Sequence, residues 1–183
     1  MTQQIAPASN LGWSMVLRTL MIGAIAIGIL AISEGPAGLQ TMAHRLAGAH
    51  PHLPDMALLS RAPMVLKIHL ATILMAFAIG TAQMLGIKGT LLHRVRGWIF
   101  VVFLLFSALD ALLIRDGDIW RPNPIQIFSV IVLIGLPLAV LAARRHDIAY
   151  HASAMTGIYF GSLLLAGILA FLPDRLLWRV FFG

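Results

Sequence analysis

Three histidines near the ends of long apolar stretches are the best candidates for chemistry in this sequence: His69, His93 and His151. A polar side chain within a membrane span is costly, so it usually faces the protein interior and has a partner. Neutral imidazole is also a common ligand of metals and of haem iron. These histidines therefore mark the places where a cofactor or a buried polar pair is expected.

His69 has a candidate partner in Asp110. Each residue lies about 8 Å inside the same end of its own apolar stretch, at a rise of about 1.5 Å per helical residue. If the two stretches are antiparallel neighbours, the side chains reach similar depth. A carboxylate bonded to an imidazole fixes its tautomer and orientation, as a ligand histidine requires. A purely structural buried pair would use the same arrangement.

Gln83 shares a helical face with His69, because 14 residues separate them. Ala76 and Gly80 lie between them on that face and leave room. The space would suit a flat cofactor, a quinone ring bonded by Gln83, or simply a neighbouring helix.

His93 and His151 are predicted at the opposite, inner end, on two parallel helices. Two histidines facing across a bundle suit axial ligation of the iron of a b-type haem. Arg94, Arg144 and Arg145 lie nearby and would suit its propionates. Interfacial histidine and arginine also contact lipid phosphate or cap helix ends, so both interpretations stay open.

The remaining histidines carry weaker expectations. His44, His50 and His52 lie in one polar segment, and a divalent metal shared with His69 lacks the tight ligand spacing of known sites. We expect them to be surface residues of undefined role. His146, in a basic link, is expected to be solvated.

Composition indicates an integral membrane protein of one domain, residues 1–183. The chain has 60% hydrophobic and 11% charged residues, whereas soluble domains have about 25% charged residues. The absence of cysteine excludes disulfides, thiol catalysis and cysteine-attached haem. The formal charge of +6 comes from basic residues at span ends, which favours the lipid bilayer as a partner and not nucleic acid.

Five apolar stretches are long enough to span a membrane as helices. They predict an all-α antiparallel bundle of about five transmembrane helices, with the last four as its core and the first packed outside. Gly135 and Pro137 predict a kink in the fourth. An outer loop, residues 34–62, contains a segment expected to form an amphipathic surface helix. The predicted spans are residues 13–33, 63–86, 97–114, 124–143 and 150–172.

The two short links, between the second and third spans and between the fourth and fifth, are rich in Lys and Arg. Such links favour the cytoplasmic side, so a bacterial inner-membrane protein with its N-terminus inside and its C-terminus outside is expected. The leader has no basic cluster, and no convincing small-x-small cleavage site follows. We therefore expect the first span to be retained, with Arg18 reaching to the surface.

Small residues at four-residue spacing suggest close helix contacts in lipid. The pairs are Gly157 with Gly161 in the fifth span and Ala24 with Gly28 in the first. Packing within the bundle is the expected use, and self-association or a partner interface is the alternative.

The segment "KIHLATILMAFAIGTAQ…LLHRVRGWIF" resembles a family of bacterial predicted membrane proteins of unknown function. The shared features are a His and a Gln at the two ends of one span, a His-Arg-x-x-Gly motif, and an Arg-rich link before a His and a Met. In this sequence they are His69, Gln83, His93, Arg94, Gly97, Arg144, Arg145, His151 and Met155.

The resemblance covers spans two to five. The sequence departs from the family pattern at Ala154, where Trp is usual, and at Ala152, where Arg is frequent. The layout is also more weakly similar to transmembrane b-type cytochromes.

Two functions are therefore predicted. The first is an electron-transfer module that binds haem b or quinone, and the alternative is a non-catalytic accessory subunit in a larger membrane complex. A small transporter or channel ranks last, since no broken-helix repeat is present. No H-E-x-x-H, P-loop or G-x-S-x-G motif supports another chemistry.

Overall fold

The computed structural model describes residues 21, 24, 25, 28, 35–114, 124–173 and 175–183. The predicted first span lies mostly outside these residues, although Ala24 and Gly28 are helical. The described elements are α1 (residues 35–47), α2 (Met56–Arg61), α3 (Met64–Leu85), α4 (Leu91–Ala111), α5 (Pro124–Arg144), α6 (Ile148–Gly157), a π-helical segment (Ile158–Leu164), α7 (Leu165–Leu169) and α8 (Leu176–Phe181).

The described residues contain no strand, and four of their helices are long and apolar enough to cross a membrane. The predicted all-α membrane fold is therefore confirmed. The four helices are Met64–Leu85, Leu91–Ala111, Gln126–Arg144 and the continuous run Ile148–Leu169. Three of them begin and end within about three residues of the predicted spans.

The third predicted span differs most, because α4 begins at Leu91, whereas the span was predicted to begin at residue 97. The Thr90 side chain accepts a hydrogen bond from the backbone N–H of His93 at 3.1 Å and so caps the helix. The basic residues Arg94 and Arg96 can be helical because the helix end is accessible to water. Hydropathy marks the apolar part of this helix and not its first turn.

The ends of the neighbouring helices are also closed by side chains. Lys88 Nζ donates to the backbone oxygens of Gln83, Met84 and Gly86 at 2.6–2.9 Å. These carbonyls have no partner within α3, and a cation there also suits the helix dipole. At the start of α6, the Asp147 side chain accepts from the backbone N–H of Tyr150 at 3.0 Å.

The four long helices form a ring. α3 packs on α4, α4 on α5 and α5 on α6, while α3 also contacts the π-helical segment. α4 and α6 therefore lie at opposite corners of the bundle. Its core is apolar and comes from all four helices: Ala76, Phe100, Val101, Leu104, Ala108, Val132, Leu136, Ala139, Ile158, Tyr159 and Leu163.

A small cap lies at the end of the ring near His69, which is called the outer end after the predicted orientation. The backbone N–H groups of His52 and Asp55 donate to the oxygens of Phe181 and Val180 at 3.0 and 2.9 Å. This pairing joins the segment before α2 to the end of α8. The predicted helix in the outer loop is present as α1.

Candidate functional site

The best-defined polar contact joins α3 to α4 near the outer end. His69 Nδ1 lies 2.6 Å from Asp110 Oδ1, and the side chains are 17% and 8% exposed. The carbonyl and hydroxyl oxygens of Ser107 lie 3.2 Å from the same nitrogen. The expected juxtaposition of His69 and Asp110 is thus present, and the ring nitrogen left for another partner is Nε2.

Two further residues, which the sequence analysis missed, support this pair. The Thr72 hydroxyl lies 3.4 Å from Asp110 Oδ2, and Ser107 is almost fully buried. Both residues are three positions away from a member of the pair, a spacing that places them on the same helix face. That spacing was the available signal.

A cavity of about 780 Å³ lies beside His69 at the outer end. Its walls come from α1, α3, α4, α5, the π-helical segment, α7 and α8. Most of the lining is apolar, with the hydroxyl-bearing Ser107, Ser129 and Ser162 among the wall residues. His69 therefore borders a space large enough for a small ligand.

Gln83 does not share this site, because α3 carries it to the opposite end. Its side-chain Nε2 donates to the backbone oxygen of His93 at 2.7 Å. A Cβ on Gly97 would lie 3.2 Å from that nitrogen, so the glycine lets the amide reach α4. The Gln and the His-Arg-x-x-Gly motif thus meet in one helix contact.

The room beside Ala76 and Gly80 is filled by neighbouring helices. A Cβ on Gly80 would lie 2.8 Å from Phe100 and 2.9 Å from the Tyr159 ring. The Tyr159 hydroxyl lies 2.6 Å from Thr81 Oγ1, which itself donates to the Phe77 backbone oxygen. Of the three predicted occupants of this space, the structure has the neighbouring helix.

His93 and His151 lie on helices at opposite corners of the bundle, α4 and α6, and both are at its basic end. His93 Nδ1 is buried and has no hydrogen-bond partner among the described residues. His151 lies within electrostatic range of it. The Nδ1–H of His151 donates to the buried carbonyl oxygen of Ala139 at 2.9 Å, which leaves His151 Nε2 as the free lone pair.

The hydrogen bond of His151 is one that a metal-ligand histidine commonly makes. A ligand histidine usually donates its other ring N–H to a carbonyl or carboxylate, as His151 does. His93 supplies a buried nitrogen that lacks a partner.

The arginines surround the same end of the bundle. Arg144 lies over the Trp98 ring, 5.7 Å from its centroid, and so joins the end of α5 to the first part of α4. Arg94 and Arg145 are exposed. These positions suit charged groups at a membrane surface, whether lipid phosphate or propionate.

The loop histidines do not join His69. His52 Nδ1 lies 2.7 Å from the Leu53 oxygen, and its Nε2 lies 3.3 Å from the Gly183 oxygen. Within the part of the chain that the structure describes, no group of three or more His, Asp or Glu residues is placed to hold a metal ion. His44, His50 and His146 are exposed.

The predicted glycine pair in the fifth span does not act as one contact. Gly161 is buried in the π-helical segment, but Gly157 is exposed, and no described atom would lie within 4 Å of a Cβ there. Packing inside the bundle therefore explains Gly161 and not Gly157. A Cβ on Gly28 would likewise have no described neighbour within 4 Å.

The fold and the polar contacts together define an integral membrane protein built on a four-helix ring. Residues 66–179 match the family described as predicted membrane protein (DUF2306). The match covers more than half of the chain, and the chain belongs to this family. No curated protein and no solved structure matches it, so similarity to b-type cytochromes is not shown.

Proposed function

We propose that the protein is an electron-transfer module of the bacterial inner membrane that holds a b-type haem between His93 and His151. One observation carries the proposal: His93 and His151 lie within electrostatic range of each other, and His93 Nδ1 is buried without a hydrogen-bond partner in the described residues. A buried nitrogen without a hydrogen bond is costly. Coordination by iron would satisfy it.

The surrounding residues would orient such a group. The Ala139 carbonyl fixes the His151 tautomer, and the Gln83 amide fixes the first turn of α4, which carries His93. Arg94, Arg144 and Arg145 lie at the same end and would bind propionates through charge-assisted hydrogen bonds. When bound, the haem supplies one-electron oxidation and reduction.

The basic end of the bundle supports a cytoplasmic location for this site. Both short links lie at this end, and both carry arginine or lysine. The C-terminus then lies on the periplasmic side. A fusion of alkaline phosphatase to Gly183 should be active and a fusion of green fluorescent protein dark, and the reverse result contradicts the orientation.

The haem proposal is tested by the visible spectrum of the full chain purified from a haem-competent host. A Soret band that shifts on reduction is expected, and His93→Ala or His151→Ala should remove or displace it. His146→Asn is the matched control, since His146 is an exposed histidine near the same end with a φ of 62°, which Asn tolerates. Protein without extractable haem, or an unchanged band in both alanine variants, contradicts the assignment.

Gly157 favours a second candidate function, contact with another membrane subunit. It is exposed on a membrane helix with no described atom near a Cβ position, and small residues let a second helix approach closely. Gly157→Leu should then release a stoichiometric partner from gently extracted complexes, whereas Gly157→Ala, which keeps a small side chain, should not. Purification of the unaltered protein without any partner contradicts this candidate.

A further inference from the structure

We propose that the outer cavity binds the hydroquinone headgroup of a membrane quinol, whose ring hydroxyl donates a hydrogen bond to His69 Nε2. This inference deepens the proposed redox function and rests on it for the fate of the electrons. Binding itself requires only the residues around the cavity.

The cavity has the size and lining that such a headgroup needs. Its volume of about 780 Å³ falls within the roughly 300–1,000 Å³ of typical small-molecule sites. Phe77, Phe128 and Phe171 line it together with aliphatic side chains. An aromatic ring with an apolar tail matches a wall of this composition, because both can be removed from water there.

Among the polar residues that line the cavity, Arg175 and Arg179 carry hydrogen-bond donors, and His69 offers an acceptor. Because Asp110 accepts from His69 Nδ1–H, the neutral imidazole offers an unprotonated Nε2, which accepts and does not donate. A quinol hydroxyl provides the missing donor. The oxidised quinone has only carbonyl oxygens, which accept hydrogen bonds and cannot donate to this nitrogen.

A hydroxyl group from another element also lines the cavity. It belongs to Ser162, which lies in the π-helical segment. π-Helical turns often occur at functional sites, because they displace side chains from the α-helical register. Ser162 would provide a second polar contact for the headgroup.

The His69–Asp110 pair also suits acceptance of a proton from the bound quinol. The quinol O–H bond breaks as the Nε2–H bond forms, which leaves a quinol monoanion and an imidazolium. Both ring electrons stay on the quinol in this step. The Asp110 carboxylate, 2.6 Å from Nδ1, stabilises the imidazolium.

The test uses isothermal titration calorimetry under anaerobic conditions. It measures the dissociation constants of a decyl-substituted quinol and of its quinone for the purified full chain. At pH 8 we expect the quinol to bind about tenfold more tightly than the quinone, the ratio given by one hydrogen bond. His69→Ala should weaken quinol binding about tenfold and abolish that preference. His52→Ala, at the same end but outside the cavity, should change the dissociation constant less than about twofold.

The outcomes separate this inference from the haem proposal. His93→Ala should lose the Soret band and keep quinol binding, while His69→Ala should do the opposite. The assignment is overturned if the unaltered protein and His69→Ala bind the quinol with equal dissociation constants. It is also overturned if phosphatidylglycerol from vesicles binds saturably in place of the quinol. Absence of a haem band from the unaltered protein, with quinol binding intact, overturns only the proposed function.

Discussion

Gly80→Ala is expected to destabilise the bundle, because the added methyl group has no space. Its Cβ would lie 2.8 Å from Phe100 and 2.9 Å from two atoms of the Tyr159 ring, closer than carbon atoms pack. Phe100 is 2% exposed and Tyr159 6%. Tyr159 is also held by the 2.6 Å contact with Thr81, so neither ring can move away freely.

The magnitude follows from this geometry. Overpacking a well-filled core costs about 1–3 kcal/mol, and in a chain of this size about 2 kcal/mol lowers the melting temperature by about 4–8 °C. The helix propensity of alanine offsets up to about 1 kcal/mol. The measurement is thermal unfolding in detergent. After heating, the folded protein that remains is measured by size-exclusion chromatography with detection of tryptophan fluorescence.

Gly157→Ala is the matched control for this experiment. It makes the same chemical change in another membrane helix, at a position where a Cβ would have no described neighbour within 4 Å. The control should melt at or slightly above the temperature of the unaltered protein. The packing argument at Gly80 is refuted if the melting temperature of Gly80→Ala is within about 1 °C of that of Gly157→Ala, or higher.

Two other contacts give predictions on the same assay. Asp110→Ala leaves the imidazole of His69 without its acceptor and should lower the free energy of unfolding by about 1–3 kcal/mol. Asp110→Asn can still accept from Nδ1–H and should recover part of this loss. Equal stability of the unaltered protein and both variants would argue against a native His69–Asp110 bond. Gln83→Ala removes the 2.7 Å bond to the His93 oxygen and should lower the melting temperature by about 2–4 °C. An unchanged melting temperature would show that the amide does not hold α4.

Local patterns in the sequence were sufficient for the membrane helices and for one polar contact. Apolar length located α3, α5 and the run from α6 to α7, because a span needs a fixed number of apolar residues. The depth argument that paired His69 with Asp110 worked because antiparallel neighbours share a common end. Both inferences use only spacing along the chain.

Other features depend on side chains that are far apart in sequence. The space beside Gly80 is filled by Phe100 and Tyr159, and no local pattern indicates which helix supplies those rings. Gln83 was grouped with His69 because the two share a face, although about 21 Å of helix separates them. The cavity could not be predicted, since seven separate elements contribute its walls.

The position of Gly80 along α3 has a geometric consequence for the two ends of the bundle. One helix of 22 residues carries His69 near its start and Gln83 near its end, and the close fit with Phe100 and Tyr159 lies between them at Gly80. Because Gly80 is nearer to Gln83 than to His69, a tilt of α3 about Gly80 that moves His69 by about 1.5 Å moves Gln83 much less. The hydrogen bond from the Gln83 amide to the His93 carbonyl can therefore survive a tilt that would break the hydrogen bond of His69.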